Sequence, residues 1–180
     1  DLGDDRALRL NAMATVGGEG GARSDRRGFA PSYRWGIGRP DEFLVSLYVL
    51  RSDNAIDYGL PWLNPGNSGR TSWLWPRNPG RYYGMASDGA STGTTQGTFT
   101  HTHRFDAQRE LRSSVRLAHY TRDQRASAIR FAAAALQPDG AAVTADTFGD
   151  STVLTRGTNN KFMDMDTLYA QSDYSGKHRW

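Results

Sequence analysis

The sequence contains no cysteine, only two lysines and no long hydrophobic run. Without cysteine, a disulfide scaffold, a thiolate metal site and a cysteine nucleophile are all excluded. No apolar run approaches the roughly 20 residues that a transmembrane helix needs. The net charge is +3 and the basic residues are scattered rather than clustered, so the charge pattern does not indicate nucleic-acid binding.

The chain is instead rich in aromatic residues and glycine. Its 180 residues include 5 Trp, 8 Tyr, 7 Phe and 20 Gly, while only 37% are hydrophobic. This aromatic content argues against a disordered tail, and the low hydrophobic content argues against a large buried core. The G-x-S-x-G, Walker and zinc-binding signatures are absent, so the sequence does not indicate an enzyme.

Six segments alternate between apolar and polar residues. In the first, Leu8, Leu10 and Ala12 share one parity and Arg9 and Asn11 the other. Such alternation predicts β-strands with one apolar and one polar face. The segments are 7 to 10 residues long, and the longer ones approach the length of a tilted membrane-crossing strand. They cover residues 8–16, 28–37, 43–50, 96–105, 111–117 and 161–170.

The connections between these segments alternate in length. Residues 17–26 and 52–95, and the stretch before the sixth segment, are long, whereas 38–41 and 106–109 are short, and 171–176 is predicted to be a turn. This order places the short turns at one end of a sheet and the long loops at the other. We therefore predict an all-β fold, an antiparallel segment of a transmembrane β-barrel with about six long strands. A soluble β-sandwich is the alternative fold.

Short motifs add a family resemblance. Arg9–Met13, Phe29–Ser32, Trp35–Gly38 and above all Asp57–Trp62 resemble the barrel of TonB-dependent siderophore receptors, closest to the catecholate type. The resemblance implies a barrel of about 22 strands, closed by a plug domain that engages TonB. Closed single-chain barrels start at about eight strands, so we expect residues 1–180 to be part of a larger barrel, without its plug domain.

The resemblance also implies a location and partners. It places the chain in the outer membrane of a Gram-negative cell, in contact with lipid, a ferric siderophore of catecholate type and, through the plug, TonB. Iron would enter only as part of the siderophore, and neither another cofactor nor a nucleic-acid partner is implied. Two other functions are compatible with the strand pattern: a soluble glycan-binding module and a segment of a passive porin.

The long connection at residues 52–95 concentrates aromatic and arginine side chains. Aromatic rings can stack on catechol rings, and guanidinium groups can meet the negative charge of a ferric catecholate complex. The same rings could instead pack the loop on itself or belong to an interfacial aromatic belt. The predicted ligand-binding residues are Tyr58, Trp62, Trp73, Trp75, Arg77, Arg81, Tyr82 and Tyr83.

Two pairs of polar residues recur at alternate positions within predicted strands. His101 and His103 share a strand face but have no evident third metal ligand, so a packing role is favoured and no metal site is predicted. Asp164 and Asp166 also share a face, and we expect them to line the wet interior of the barrel. The small-residue stretch 132–142 predicts a flexible loop or a short helix.

Overall fold

A computed structural model describes residue 3 and residues 5–19, 22–59, 82–144 and 146–177. No helix in these ranges is long and apolar enough to cross a membrane. The described part consists of eight antiparallel strands in one sheet and a short 3₁₀ helix, Ala134–Leu136. The strands are β1 (Arg6–Arg9), β2 (Ala12–Glu19), β3 (Ala22–Phe29), β4 (Ser32–Trp35), β5 (Asp41–Ala55), β6 (Gly89–Arg104), β7 (Arg109–Phe131) and β8 (Leu154–Gly176).

These eight strands follow six long paths. β1 pairs with β4 and β2 with β3, so each of the first two paths consists of two short strands in line. β3 and β4 both pair with β5, and the order then continues β5, β6, β7, β8. The all-β, antiparallel fold class is confirmed. Among the described residues the sheet does not close on itself, and β8 pairs only with β7.

The first two paths are interrupted at the same level. Pro31 separates β3 from β4 because it has no backbone N–H to donate to a ladder. Opposite it, the backbone carbonyl of Asn11 accepts a hydrogen bond from the N–H of Ala30 at 2.8 Å. The side-chain amide of Asn11 donates to the carbonyl of Ala30 at 3.0 Å. These two bonds keep the paths together across the break.

The strands are longer than the sequence predicts. Most of residues 17–26, predicted as a long connection, is paired strand, because β2 and β3 pair up to Glu19 and Ala22. Residues 171–176, predicted as a turn, continue β8 and pair with β7. Both predictions were wrong for the same reason. Glycine and polar residues obscure the two-residue period, yet backbone pairing does not require an apolar face.

Four connections sort by length to opposite ends of the sheet, as predicted, whereas the one between β2 and β3, predicted to be long, spans only two residues. Residues 36–40 and 105–108 make the tight turns at one end, here called the turn end. Residues 56–88 and 132–153 make the long connections at the other end, the loop end. Gly36 in the first tight turn has φ of 72°, a left-handed conformation that favours glycine. The stretch 132–142 contains the 3₁₀ helix, in agreement with a short helix there.

The register gives the sheet two chemically different faces. Large apolar residues stay exposed on one of them, such as Leu117 at 61% and Leu168 at 71%. The buried apolar residues among those described are only three alanines, so there is little core, as composition predicts. The apolar face includes Leu8, Phe29, Tyr33, Trp35, Phe43, Val45, Leu47, Phe99, Val115, Leu117, Leu168 and Tyr174. The polar face includes Arg34, Glu42, Ser46, Thr98, Thr100, Thr102, Arg112, Arg116, Arg122 and Gln124.

Candidate ligand site at the loop end

The long connection after β5 begins with a local turn. The Oδ1 atom of Asp57 accepts a hydrogen bond from the backbone N–H of Gly59 at 2.7 Å. Gly59 has φ of 71°, which a residue with a side chain adopts at a cost. This aspartate turn holds Tyr58 between the two residues, with about half of its surface exposed. The Asp57–Gly59 motif therefore has a structural reason: it positions the first aromatic residue of the loop.

The loop returns to the sheet through a tyrosine hydroxyl. The Oη atom of Tyr82 lies 3.1 Å from the carbonyl oxygen of Ile56, 3.0 Å from that of Met85 and 3.3 Å from Asp88 Oδ2. Asp88 Oδ1 in turn accepts from the hydroxyl of Ser127 on β7 at 2.9 Å. We call these five residues the loop clamp. They tie both described segments of the loop to the end of β7.

The electrostatics of the loop clamp favour a neutral tyrosine and a charged aspartate. Burial and the neighbouring charge of Asp88 raise the pKa of Tyr82 above its ordinary value. Burial by itself would raise the pKa of Asp88. Hydrogen bonds from the backbone N–H of Met85, from Ser127 and from Tyr82 outweigh burial and lower it. The clamp is thus held by a charge-assisted hydrogen-bond network.

A second group of contacts lies where Tyr58 meets the polar face of β7. The amide of Gln124, which is only 3% exposed, donates to the hydroxyl of Tyr58 at 3.0 Å. The amide oxygen of Gln124 accepts a hydrogen bond from the guanidinium of Arg122. The Nε atom of Arg122 is buried and has no hydrogen-bond partner within the described part of the chain. This Tyr58 cluster, Tyr58, Gln124 and Arg122, offers an exposed ring beside a cationic donor.

Three of the eight predicted ligand residues lie in the described part of the chain, and they make different contacts. Tyr58 belongs to the cluster just described, whereas the hydroxyl of Tyr82 is engaged in the loop clamp. Tyr83 contributes its backbone carbonyl, which accepts from Nε of Arg156 on β8 at 2.7 Å. Trp62, Trp73, Trp75, Arg77 and Arg81 lie outside the described residues.

Sequence reasoning missed three residues of this end: Arg122, Gln124 and Asp88. Arg122 and Gln124 continue the alternate positions of β7 that carry Arg112 and Arg116. Extending that period past residue 117 would have placed both on the polar face. Nothing in the local sequence marks Asp88, because its partner Ser127 lies 39 residues away.

One predicted placement is wrong. Asp164 and Asp166 lie on the face of Leu117 and Leu168, not on the polar face, because β8 keeps its register with β7. Asp166 Oδ1 lies 2.8 Å from Nδ1 of His119, its directly opposite neighbour. The two aspartates therefore extend the apolar face towards the loop end as a charged margin.

That charged margin also contains a groove. It has a volume of about 530 Å³ and lies where the apolar side chains give way to charged ones. Tyr58, Tyr82 and Tyr83 do not line it, whereas Arg122 of the Tyr58 cluster does. Its charged lining residues on this face are Asp25, Arg27, Arg51, Asp53, Asp123 and Asp164.

At the turn end, the polar face carries a network of opposite charges. Glu42, whose side chain is 9% exposed, accepts from Nε of Arg34 at 2.6 Å and from Arg104 at 3.2 Å. Arg104 also lies 3.5 Å from Glu110. A cavity of about 270 Å³ lies beside these residues and is also lined by Arg112. The polar face is therefore charged at this end, and Arg34, Glu42, Arg104 and Glu110 pair with one another.

On the apolar face of the turn end, rings form a row across the strands. Trp35 stacks on Phe43 at 5.1 Å, and Phe43 stacks on His101 at 4.6 Å. His103 meets Phe105 edge to face at 4.6 Å. The packing role predicted for the two histidines is confirmed, because both rings are members of this aromatic row.

Comparison with known proteins supports the fold and the resemblance. No family model matches the chain. The catecholate siderophore receptor Fiu of Escherichia coli K12 is 24% identical over 185 residues, which are 97% of this chain and 24% of the receptor. Fiu of E. coli O157:H7 is 24% identical over 184 residues.

Solved structures give the same result. The closed form of the ferric-catecholate import receptor Fiu from E. coli K12 matches with a TM-score of 0.81 and 22% identity. The match covers 99% of this chain and 26% of that structure. This chain has the fold of a siderophore-receptor barrel wall. The siderophore receptor PiuA of Acinetobacter baumannii matches with a TM-score of 0.73 and 21% identity over 99% of the chain.

The predicted resemblance to TonB-dependent siderophore receptors is therefore confirmed. The chain spans about a quarter of the length of the curated relatives that it matches. The barrel wall described here supplies six strand paths, a polar face and two long connections.

Proposed function

We propose that this chain forms part of the wall of an outer-membrane receptor that imports ferric siderophores of the catecholate class, with energy delivered through TonB. The observation that carries the proposal is the match of nearly the whole chain to the Fiu barrel at a TM-score of 0.81. The division of the sheet into an apolar and a polar face supports it. No feature of the described residues favours the porin or the glycan-binding alternative.

The two faces fix the orientation that we propose. The exposed leucines, valines and aromatic rings of the apolar face suit the hydrocarbon of a Gram-negative outer membrane. The aromatic row at the turn end suits the membrane interface, where amphipathic rings are enriched. The polar face then lines the barrel interior, and the long connections lie on the outer side, where a siderophore arrives.

The Tyr58 cluster is the described part of the proposed ligand surface. The exposed ring of Tyr58 can stack on a catechol, and the positive charge of Arg122 in the same cluster can attract the anionic ferric complex. Trp62, Trp73, Trp75, Arg77 and Arg81 remain proposed members of the same surface. Iron enters this scheme only as cargo within the siderophore.

Uptake by cells that express the intact protein tests the activity. We expect cells to accumulate radioactive iron supplied as a ferric catecholate complex, and deletion of tonB to abolish the accumulation. Uptake that persists without TonB would indicate a passive pore and refute the proposal. Absence of uptake, with the protein folded in the outer membrane, would also refute it.

A matched pair of arginine variants tests the ligand surface. Arg122→Leu removes the positive charge of the cluster, and we expect it to weaken binding of the anionic ferric complex by about tenfold. Arg125→Leu is the control, because Arg125 lies on the other face and packs over the ring of Phe162. Equal weakening by both variants would exclude a specific role for Arg122.

Adjacent residues of β5 test the orientation. Leu47 lies on the apolar face and Ser46 on the polar face. Leu47→Arg would place a charge in lipid and lower the free energy of unfolding by about 2–4 kcal/mol, whereas Ser46→Arg would place it in the wet interior at little cost. Folding into lipid vesicles with urea titration gives both values. A larger loss for Ser46→Arg would reverse the proposed orientation.

A further inference from the structure

A carboxylate joins the two histidines of β6. His101 and His103 point to the same side of the strand, and Asp41, the first residue of β5, is the direct partner of His103. Asp41 Oδ1 lies 2.8 Å from Nε2 of His101 and 2.8 Å from Nδ1 of His103. One ligand atom from each of the three residues can be chosen so that all lie within 4.8 Å of one another. The sequence hides this group, because 60 residues separate Asp41 from His101.

Two imidazole nitrogens and one carboxylate oxygen form a ligand set for borderline transition metals. Magnesium and calcium prefer ligand sets made of oxygen. We propose that Asp41, His101 and His103 form a binding site for a divalent transition-metal ion of the zinc and copper class. This site is independent of the siderophore surface at the loop end and of the iron that a siderophore would carry.

The rings are already oriented for this role. His101 stacks on Phe43 with an interplanar angle of 8°, and His103 meets Phe105 at 83°. At the same level, the backbone N–H of Arg104 donates to the carbonyl of Pro40 at 2.7 Å, which fixes β6 against the start of β5. Fixed rings on fixed strands reduce the conformational entropy lost when an ion binds.

The spacing requires only a small adjustment. Metal–ligand bonds of about 2.0–2.2 Å in tetrahedral geometry place neighbouring ligand atoms about 3.3–3.5 Å apart. The present distances of 2.8 Å are shorter because Asp41 accepts hydrogen bonds from both rings. The side chains are 36% (His101), 37% (His103) and 50% (Asp41) exposed, so they have room to rotate. Three protein ligands leave a fourth position for water, which is typical of an open and exchangeable site.

Cobalt(II) is a suitable spectroscopic probe for this site. The intact protein, purified in detergent without a polyhistidine tag, is titrated with Co²⁺ while its visible absorption is recorded, and bound Co²⁺ is then displaced with Zn²⁺. We expect saturable binding of one ion. Asp41→Asn keeps the size of the side chain but removes its charge, and His103→Gln removes one ring. Each is expected to weaken Co²⁺ binding by at least about tenfold.

His119→Gln is the matched control. His119 also contacts carboxylates, Asp166 at 2.8 Å and Asp164 at 3.8 Å, but it has no second histidine beside it in the described residues. This variant should bind Co²⁺ as the unchanged protein does. Absence of saturable binding by the unchanged protein would overturn the proposal. Equal weakening of Co²⁺ binding by His119→Gln and Asp41→Asn would also overturn it. The urea-unfolding transition of each variant shows whether a loss of binding reflects misfolding instead.

Discussion

The two ends of the sheet are stabilised in different ways. At the turn end, Arg34, Glu42 and Arg104 form an ion network, and each residue lies on a strand whose register is fixed by its neighbours. At the loop end, Tyr82 and Asp88 belong to a long connection that folds back to Ser127. Strand pairing therefore determines the turn-end contacts, whereas loop conformation determines those at the loop end.

This difference has a functional meaning. A network fixed by register stays in place when loops change, so the turn end can hold the wall of the barrel together. Loop-end contacts depend on a few hydrogen bonds, so the proposed ligand surface can vary there without disturbing the strands. We therefore expect substitutions at the turn end to change global stability and substitutions at the loop end to change local opening.

The largest expected effect is that of Glu42→Ala at the turn end. It leaves Arg34 and Arg104 without their shared, nearly buried acceptor. Removal of one partner from a fully buried pair costs about 3–5 kcal/mol, and because both arginines keep a third or more of their side chains exposed we expect about 2–3 kcal/mol. Urea unfolding of the intact protein in detergent measures the loss.

Asp123→Ala is the control for that experiment. Asp123 pairs with Arg125 at 3.4 Å, and both side chains are more than half exposed. Exposed pairs of this kind contribute little to stability, so the unfolding midpoint should hardly move. A loss of stability in Glu42→Ala no greater than in Asp123→Ala would show that the network does not stabilise the turn end.

Gly84→Ala tests the loop end by adding a methyl group where the loop clamp has no space for one. A Cβ atom at this position would lie 2.5 Å from Tyr82 Oη and 2.6 Å from Asp88 Oδ2, closer than atoms can pack. We expect the loop clamp to open, at a cost of about 1–2 kcal/mol. Hydrogen exchange of residues 56–59 and 84–88 should rise while the exchange of β5 and β6 stays unchanged. Faster exchange along those strands would show that the two ends are not independent.

The contrast between the ends also explains what the sequence could predict. Alternation at positions such as Phe43, Val45 and Leu47 revealed the strands, because a strand with two different faces has a period of two. That pattern does not show which strands pair, so it does not identify Asp41 as a neighbour of His101. The loop clamp was also missed, since no local period connects Tyr82 to Ser127. Charge alone does not identify the wet face, since Asp164 and Asp166 lie on the same face as Leu168.

Tyr82→Phe is a milder change at the loop end. It removes one hydroxyl but keeps the ring, and Asp88 retains its hydrogen bonds from Met85 and Ser127. We expect a loss of about 1 kcal/mol in the stability of the clamp, the contribution of one hydrogen bond. Hydrogen exchange at residues 84–88 measures it. Hydrogen exchange as fast as in Gly84→Ala would mean that the loop clamp stays closed only through the hydroxyl of Tyr82.

The smallest effect is the pH dependence of the loop clamp, which follows from two opposite pKa shifts. The pKa of Asp88 is lowered, so its contribution to stability is present above about pH 4 and is lost as the pH falls through the lowered value. The pKa of Tyr82 is raised, so its contribution is complete below about pH 10 and is lost as the pH rises through the raised value. NMR of ¹³C-labelled tyrosine, assigned with Tyr82→Phe, should show Tyr82 ionising at higher pH than free tyrosine. Asp88→Asn removes the neighbouring charge and should move that midpoint down towards the ordinary value. An unchanged midpoint would show that burial alone holds Tyr82 neutral, and the clamp would then have no electrostatic coupling between its two ionisable groups.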